Sequence, residues 1–346
     1  MRRHHFILLA VVVAAATMAL AAEPRGSWHI RSDDGKLHLD VSRRSNSHWG
    51  RTVTREAFSG LTDAILNATS ETPASFDMIR DAGTIHFTGT FTDGDGVGRF
   101  TFTANRNYAA SLRGLGVAPG DDAEDDDDLF SLAMHDVSIT FIREMQSLGY
   151  RQDLDQYVAF RIHGVSPEFV RELRALGYNN LDADNLVAFR IHGVTPKFIR
   201  EMKDFGYSVD ADSLIAFRIH GVSSKFVGEM KQLGYSVDAD DIVAFRIHGV
   251  SPEFVRGMKD LGVRGLDADD AVALRIHGAT VAFVRELRDL GYANLDSDDL
   301  VAMRIHGVSP RYIRELKDAG YTNIPVDKLV EMRIHGISAD DVKRMK

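Results

Sequence analysis

Cysteine is absent from all 346 residues, and with it go disulfides, thiol nucleophiles, thiolate metal sites and a lipid-bearing cysteine. Stability must come from packing. Catalytic signatures are missing too: there is no H-E-x-x-H, no G-x-S-x-G and no glycine-rich phosphate loop followed by lysine, so the chain reads as a non-enzyme that needs no cofactor. Neither charge sign dominates strongly. A formal net charge of -9 excludes bulk attraction to nucleic acid or anionic lipid. Long apolar runs are lacking beyond the first 21 residues, which predicts no membrane span in the remainder.

That one apolar run, Phe6 to Leu20, follows Arg2 and Arg3 and ends in Ala19-Leu20-Ala21, small residues where a signal peptidase reads. Residues 1–21 are therefore expected to be a signal peptide and the mature protein periplasmic or secreted. The remaining length exceeds one compact core, so two regions are expected. The fold class expected is α+β: a small antiparallel β-rich domain over 22–118, an acidic linker over 119–128 running into a first helix, and an α-solenoid of about eight helical hairpins over 129–346.

Period two is clearest in Ile85, Phe87, Gly89 and Phe91, and again in Phe100 and Phe102, which predicts antiparallel strands. Arg80-Asp81-Ala82-Gly83 supplies one turn, and the stretch from Asp93 to Gly98 another connection. Asp93-x-Asp95-Gly96 resembles a calcium loop, but the next alternate position is Val97 and no glutamate closes the loop, so it reads as a hairpin and no metal is expected. The stretch from Ala57 to Leu66 is either a short helix or irregular. His29, His38, His48 and His86 share no motif and read as satisfied or exposed. In the acidic run, Asp125 is placed at an N-cap and Asp126 to Asp128 in a first helical turn.

Arg-Ile-His-Gly recurs seven times between residues 161 and 336 at a spacing of 28 or 29, with a degenerate copy at Met134-His135-Asp136. A fixed period of this length marks stacked units. In one unit Asp182 caps a first helix, Gly193 ends it, Thr195 caps a second with Pro196 at its first position, and Gly206-Tyr207 stops that one. Helices of about ten residues are marginal alone, so each hairpin must lean on the next.

Setting Leu186 at zero on the helical wheel places Arg190 at about 40° and Ile191 at about 140°, both within an apolar arc. Arg161, Arg190, Arg218, Arg246, Arg275, Arg304 and Arg333 are thus expected partly buried. They form either a structural ion-pair row with glutamates such as Glu172, Glu201, Glu229, Glu286 and Glu315, or a ligand-binding row. His163, His192, His220, His248, His277, His306 and His335 fall opposite the arc. They either cap the last carbonyls of their helices or contact a ligand, and the expected spacing of about 8–10 Å between helices is too wide for one zinc. On the second helix the outward positions vary, and Glu168, Lys197, Lys225, Glu253 and Arg311 join the histidines as the candidate ligand surface.

The pattern L-V-A-F-R-I-H-G-V-[ST]-P-x-[FY]-[VI]-R-E-[LM]-[KR]-x-[LF]-G-Y resembles tandem repeats of exported bacterial proteins of unknown function, and is similar to repeats in extracytoplasmic parts of some BlaR1-type (M56) sensor proteins. Gly257, Val263 and Pro325 depart from it. The resemblance implies interaction or sensing, with a protein or peptide as the partner. An envelope glycan or other polyanion is the alternative, and a structural envelope spacer the third.

Overall fold

The structure, a computed structural model, describes residues 25–33, 35–43, 47–119 and 125–344. The expected signal peptide and residues 120–124 of the acidic run lie outside them. The chain divides into two compact units, Met1–Ile162 and His163–Lys346.

Alternating apolar residues build the first unit's six strands, β1 (Arg25–Asp33), β2 (Lys36–Arg43), β3 (Ser47–Val53), β4 (Thr72–Arg80), β5 (Gly83–Thr92) and β6 (Asp95–Ala104). They form one antiparallel sheet in the order β3-β2-β1-β6-β5-β4. Register puts Phe76, Phe87 and Phe100 in one cross-strand line, with Met78, Ile85 and Phe102 beside it on the same face. Trp28 on β1 lies across Gly98 and Gly89. A Cβ on either glycine would stand 2.8 Å from the indole, which is why the alternation Ile85-Phe87-Gly89-Phe91 carries a glycine. Trp28 Nε1 donates to the carbonyls of Thr88 and Arg99, at 3.2 and 3.0 Å. Asp93 and Gly94, with φ of 49° and 81°, make the tight β5–β6 turn, and Asp81-Ala82 the β4–β5 turn. Each scattered histidine finds a local partner: His29 with Asp95, His38 with Thr52, His48 with Ser42 and His86 with Asp77.

The undecided stretch splits into a 3-10 turn at Arg55–Ala57 and a one-turn α1 (Asp63–Leu66), and Phe58 between them packs on Phe76 and Phe87. Then come α2 (Tyr108–Gly114), α3 (Asp126–His135), α4 (Ile139–Ser147) and α5 (Leu154–His163). Asp125 caps α3, as its position implies, by accepting from Asp127 N–H. The acids behind it do more than face solvent: Asp126 pairs with Arg106 and Asp127 with the buried Arg43. Phe130 of α3 then stacks on Phe100 at 5.3 Å and meets Phe102 and Trp49 edge-on, closing the sheet's apolar face.

At the end of α3 the His135 imidazole is half-buried, and burial first, then the charges of Arg51 and Arg161, push its pKa below the ordinary histidine value. A histidine depressed in the folded state takes its proton first in the unfolded chain. Its stabilising share is therefore complete above the unfolded value of about 6.5 and is lost as pH falls through the lowered one. The melting temperature of His135→Gln should accordingly fall less between about pH 7.5 and 5 than that of the parent chain. Parallel pH profiles would contradict this.

The second unit continues with α6 (Pro167–Ala175), α7 (Ala183–His192), α8 (Pro196–Asp204), α9 (Ala211–Ile219), α10 (Ser224–Gln232), α11 (Ala239–His248), α12 (Pro252–Asp260), α13 (Ala268–Ile276), α14 (Val281–Asp289), α15 (Ser297–Ile305), α16 (Pro310–Asp318), α17 (Val326–Ile334) and α18 (Ala339–Arg344). From α7 to α17 each odd-numbered helix packs on the next odd one, and from α6 to α18 each even one on the next even one. Hairpins thus stack in two rows. Phe189, Phe217 and Phe245 on the odd row and Ile199, Val227 and Val255 on the even row are wholly buried. The caps act where the sequence places them: Asp182 accepts from Asn185 N–H, Thr195 from Phe198 N–H, and Gly193 takes φ 71°.

Departures from the pattern are matched next door. Gly257 leaves room for Val281, whose Cγ2 would stand 2.8 Å from a Cβ there, and Gly228 faces the ring of Phe205, a position where the other repeats carry leucine except for Ala319. Where Val263 replaces tyrosine, Arg264 instead bridges to the following repeat, its N–H donating to Leu295 O and its Nε to Asn294 O.

Candidate functional site

The Arg-Ile-His-Gly corner is a device between repeats. Arg190 Nε donates to His163 O at 3.3 Å, and its guanidinium lies 4.9 Å over the Phe169 ring. Arg218, Arg246, Arg275 and Arg304 repeat the bond on His192, His220, His248 and His277. They also repeat the ring contact, on Phe198, Phe226, Phe254 and Phe283, and Arg333 lies over Tyr312. A cation thus sits at the negative end of the preceding helix and fills one of its orphan carbonyls.

The expected ion-pair row with the helix-two glutamates is corrected by this geometry. Among the described residues only Arg161 of the row has a carboxylate within ion-pair distance, Asp136 at 2.6 Å. Arg190, Arg218, Arg246 and Arg304 are exposed, while Arg161, Arg275 and Arg333 are half-buried as expected. The nearest acceptor for a guanidinium at a helix end is the neighbouring helix's own carbonyl, which a tally of acidic residues overlooks.

The isoleucines also differ from the wheel. Ile191, Ile219, Ile247, Ile276, Ile305 and Ile334 are 55–58% exposed, although their angle lies within the apolar arc. The same place on each odd helix therefore offers water one branched apolar side chain per repeat. Beside them His163, His192, His220, His248, His277 and His335 are exposed and His306 half-buried. None of these imidazoles makes a side-chain hydrogen bond among the described residues, so the carbonyl capping expected of them is done by the arginine one repeat on. No group of three or more His, Asp or Glu able to hold a metal is gathered among the described residues.

Two further ties escaped the sequence reading. Tyr178, Tyr207, Tyr235 and Tyr292 donate forward to the carbonyls of Val209, Val237, Leu266 and Ile324. Burial, then Asp267 and Asp270, push the Tyr235 hydroxyl up to about 12. Lys203, Lys231, Lys259 and Lys317 donate backward to the carbonyls of Leu176, Phe205, Leu233 and Leu290. The tyrosine that follows the second glycine in all repeats but the one with Val263 was the available signal, since a buried hydroxyl must find an acceptor.

The varying outward charges of the second helices are exposed and mixed in sign, and most engage neighbours on their own helix. Lys197 lies 3.8 Å from Glu201, Arg311 2.8 Å from Glu315, Glu168 3.0 Å from Arg171 and Glu253 3.8 Å from Arg256. The Glu168 carboxyl is held below the usual carboxylate range by its own backbone N–H, then by the Ser166 hydroxyl. Lys225 is exposed with no ion pair among the described residues. No helix among the described residues is long and apolar enough to cross a membrane. No family model, no curated protein and no solved structure matches the chain.

Proposed function

We propose that the protein is a non-catalytic exported binding protein whose stacked hairpins present an extended surface to a protein or peptide partner. The carrying observation is the isoleucine row. A uniform position in a repeat protein ordinarily builds the stack, yet these six side chains stay 55–58% exposed, leaving on the order of 1 kcal/mol of apolar burial per rung to be gained. Regularly spaced apolar anchors rimmed by polar side chains are what a partner's anchors dock against. The likeness to repeats of exported bacterial proteins and BlaR1-type sensors points the same way, towards interaction rather than chemistry, and the Arg2-Arg3 apolar leader supports an extracytoplasmic setting.

A polyanion partner draws less support. Lys197 and Arg311 already face glutamates on their own helices, so these two outward cations are partly neutralised.

Ile219→Ser, Ile247→Ser and Ile276→Ser, alone and combined, test the reading. Each exposed change should cost within about 0.5–1 kcal/mol of stability. The triple variant should lose, by at least about tenfold, the partner that the parent chain retains from periplasmic extract in 0.5 M salt. Reversing Lys197, Lys225 and Arg311 to glutamate should leave retention unchanged. If charge reversal abolishes retention and the serine triple does not, the polyanion reading replaces this one.

A further inference from the structure

The first unit holds a cleft whose wall includes Arg161 and Ile162, the first copy of the repeated motif. The edge strand β3 meets the C-terminal ends of α3 and α5 around a cavity of about 350 Å³, lined by His48, Trp49, Arg51, His135, Arg161 and Ile162 among others. That volume suits a small molecule. Three arginines gather there around one carboxylate: Asp136 lies 2.6 Å from Arg161 and 3.2 Å from Arg80, while Arg51 has no ion pair among the described residues. Among these four groups positive charge exceeds negative by two, and Asp40 lies 3.6 Å from His48 of the lining.

The donors are specific. Arg51 spends Nη1 on the carbonyl of Met134, which leaves its Nε–Nη2 edge, two parallel N–H groups of the kind that grip a carboxylate or phosphate side-on. Arg161 gives Nε to His135 O and Nη2 to Asp136, and so is fixed in place with one nitrogen remaining. Neither the Trp49 indole N–H nor the His135 ring has a hydrogen-bond partner among the described residues. Trp49, half-buried, and Ile162, 53% exposed, add an apolar wall. Burial together with the charges of Arg161 and Arg80 lowers the pKa of Arg51, the cost of gathering like charges that an incoming anion would relieve.

We infer that this cleft is a binding site for a small organic anion, a carboxylate or phosphate monoester joined to a flat apolar group. Asp136 is the positioning residue. It stands where the repeats carry glycine and accepts φ 54°, and in exchange it holds Arg161 and Arg80 beside Arg51.

The test is calorimetric titration of the whole chain with benzoate, phenyl phosphate and benzyl alcohol, followed in parallel by tryptophan fluorescence. At least one of the two anions should saturate a single site, and the neutral alcohol should bind at least about tenfold more weakly. Preference between the anions assigns the carboxylate or the phosphate source. Arg51→Gln should weaken binding about tenfold or more, and so should Ile162→Glu, which sets a negative charge on an exposed wall where the fold is not at stake. Trp49→Phe should remove the fluorescence response. Absence of saturation by both anions below about 10 mM, equal binding of the alcohol, or unchanged affinity in Ile162→Glu with an unchanged melting temperature would each overturn the assignment. Ile162 belongs to the first Arg-Ile-His-Gly copy, whereas Arg51→Gln and Trp49→Phe alter no residue of that motif, so the outcome in these two variants is independent of partner retention by the array.

Discussion

Phe130→Ala should remove about 3–5 kcal/mol from the stability of the sheet unit, read by urea unfolding. Phe130 is fully buried and is the residue through which α3 closes the sheet. Its ring stacks on Phe100 with planes 9° apart and meets Phe102 and Trp49 edge-on. Each aromatic pair contributes roughly 0.5–1.5 kcal/mol beyond simple burial, and truncation would leave three rings facing a void. Arg43 adds to the loss: it is only 5% exposed and lies 5.2 Å over the Phe130 ring, so alanine strips one side of a buried cation that pairs with Asp127 on another. With typical domain stabilities of about 5–15 kcal/mol, the variant stands near the threshold of folding. Phe130→Leu, which keeps most of the volume, should cost less than about 1.5–2 kcal/mol and supplies a measurable point if the alanine chain does not fold. A loss under about 1 kcal/mol for alanine would mean that α3 is not the closure of the sheet.

Turn chemistry was legible from the letters because it is local. Asp182, Thr195, Pro196 and Gly193 each act on a neighbour three or four residues away, so the hairpin boundaries fall where the caps are written. The sheet was legible for a similar reason, since the period of Ile85, Phe87 and Phe91 is itself a statement about faces. What stayed hidden was the identity of partners a whole repeat distant. A helical wheel gives the direction of Arg190 around its axis, but not that the carbonyl end of α5 lies within its reach. Nor does it say that the arc near Ile191 is left uncovered while that near Phe189 is filled. The cleft of the sheet unit was further out of view. Arg51 and Arg161 are separated by 110 positions, Arg161 carries the array's repeated motif, and Asp136 looked like a decayed glycine rather than a carboxylate that ties two arginines.

Gly249→Val should destabilise the helical array by about 3 kcal/mol, from two separable causes. Gly249 ends α11 with φ 73°, where a side chain costs roughly 1–2 kcal/mol and a β-branched one more. A Cβ there would also stand 2.9 Å from Arg275 Nη2, displacing the guanidinium that lies 5.1 Å over Phe254 and bonds to His248 O. Losing that bond and ring contact removes about another 1–2 kcal/mol. A double-mutant cycle separates the terms. In Arg275→Ala the second cause is already spent, so Gly249→Val made on that background should cost only the backbone strain, with a coupling of about 1 kcal/mol between the sites. Full additivity would mean that glycine and arginine of successive repeats are independent, and that the corner motif is two separate features rather than one joint between neighbouring hairpins. Since stability in a stacked array resides in nearest-neighbour interfaces, the same substitution should broaden the unfolding transition, as repeats on either side of the weakened joint begin to unfold apart.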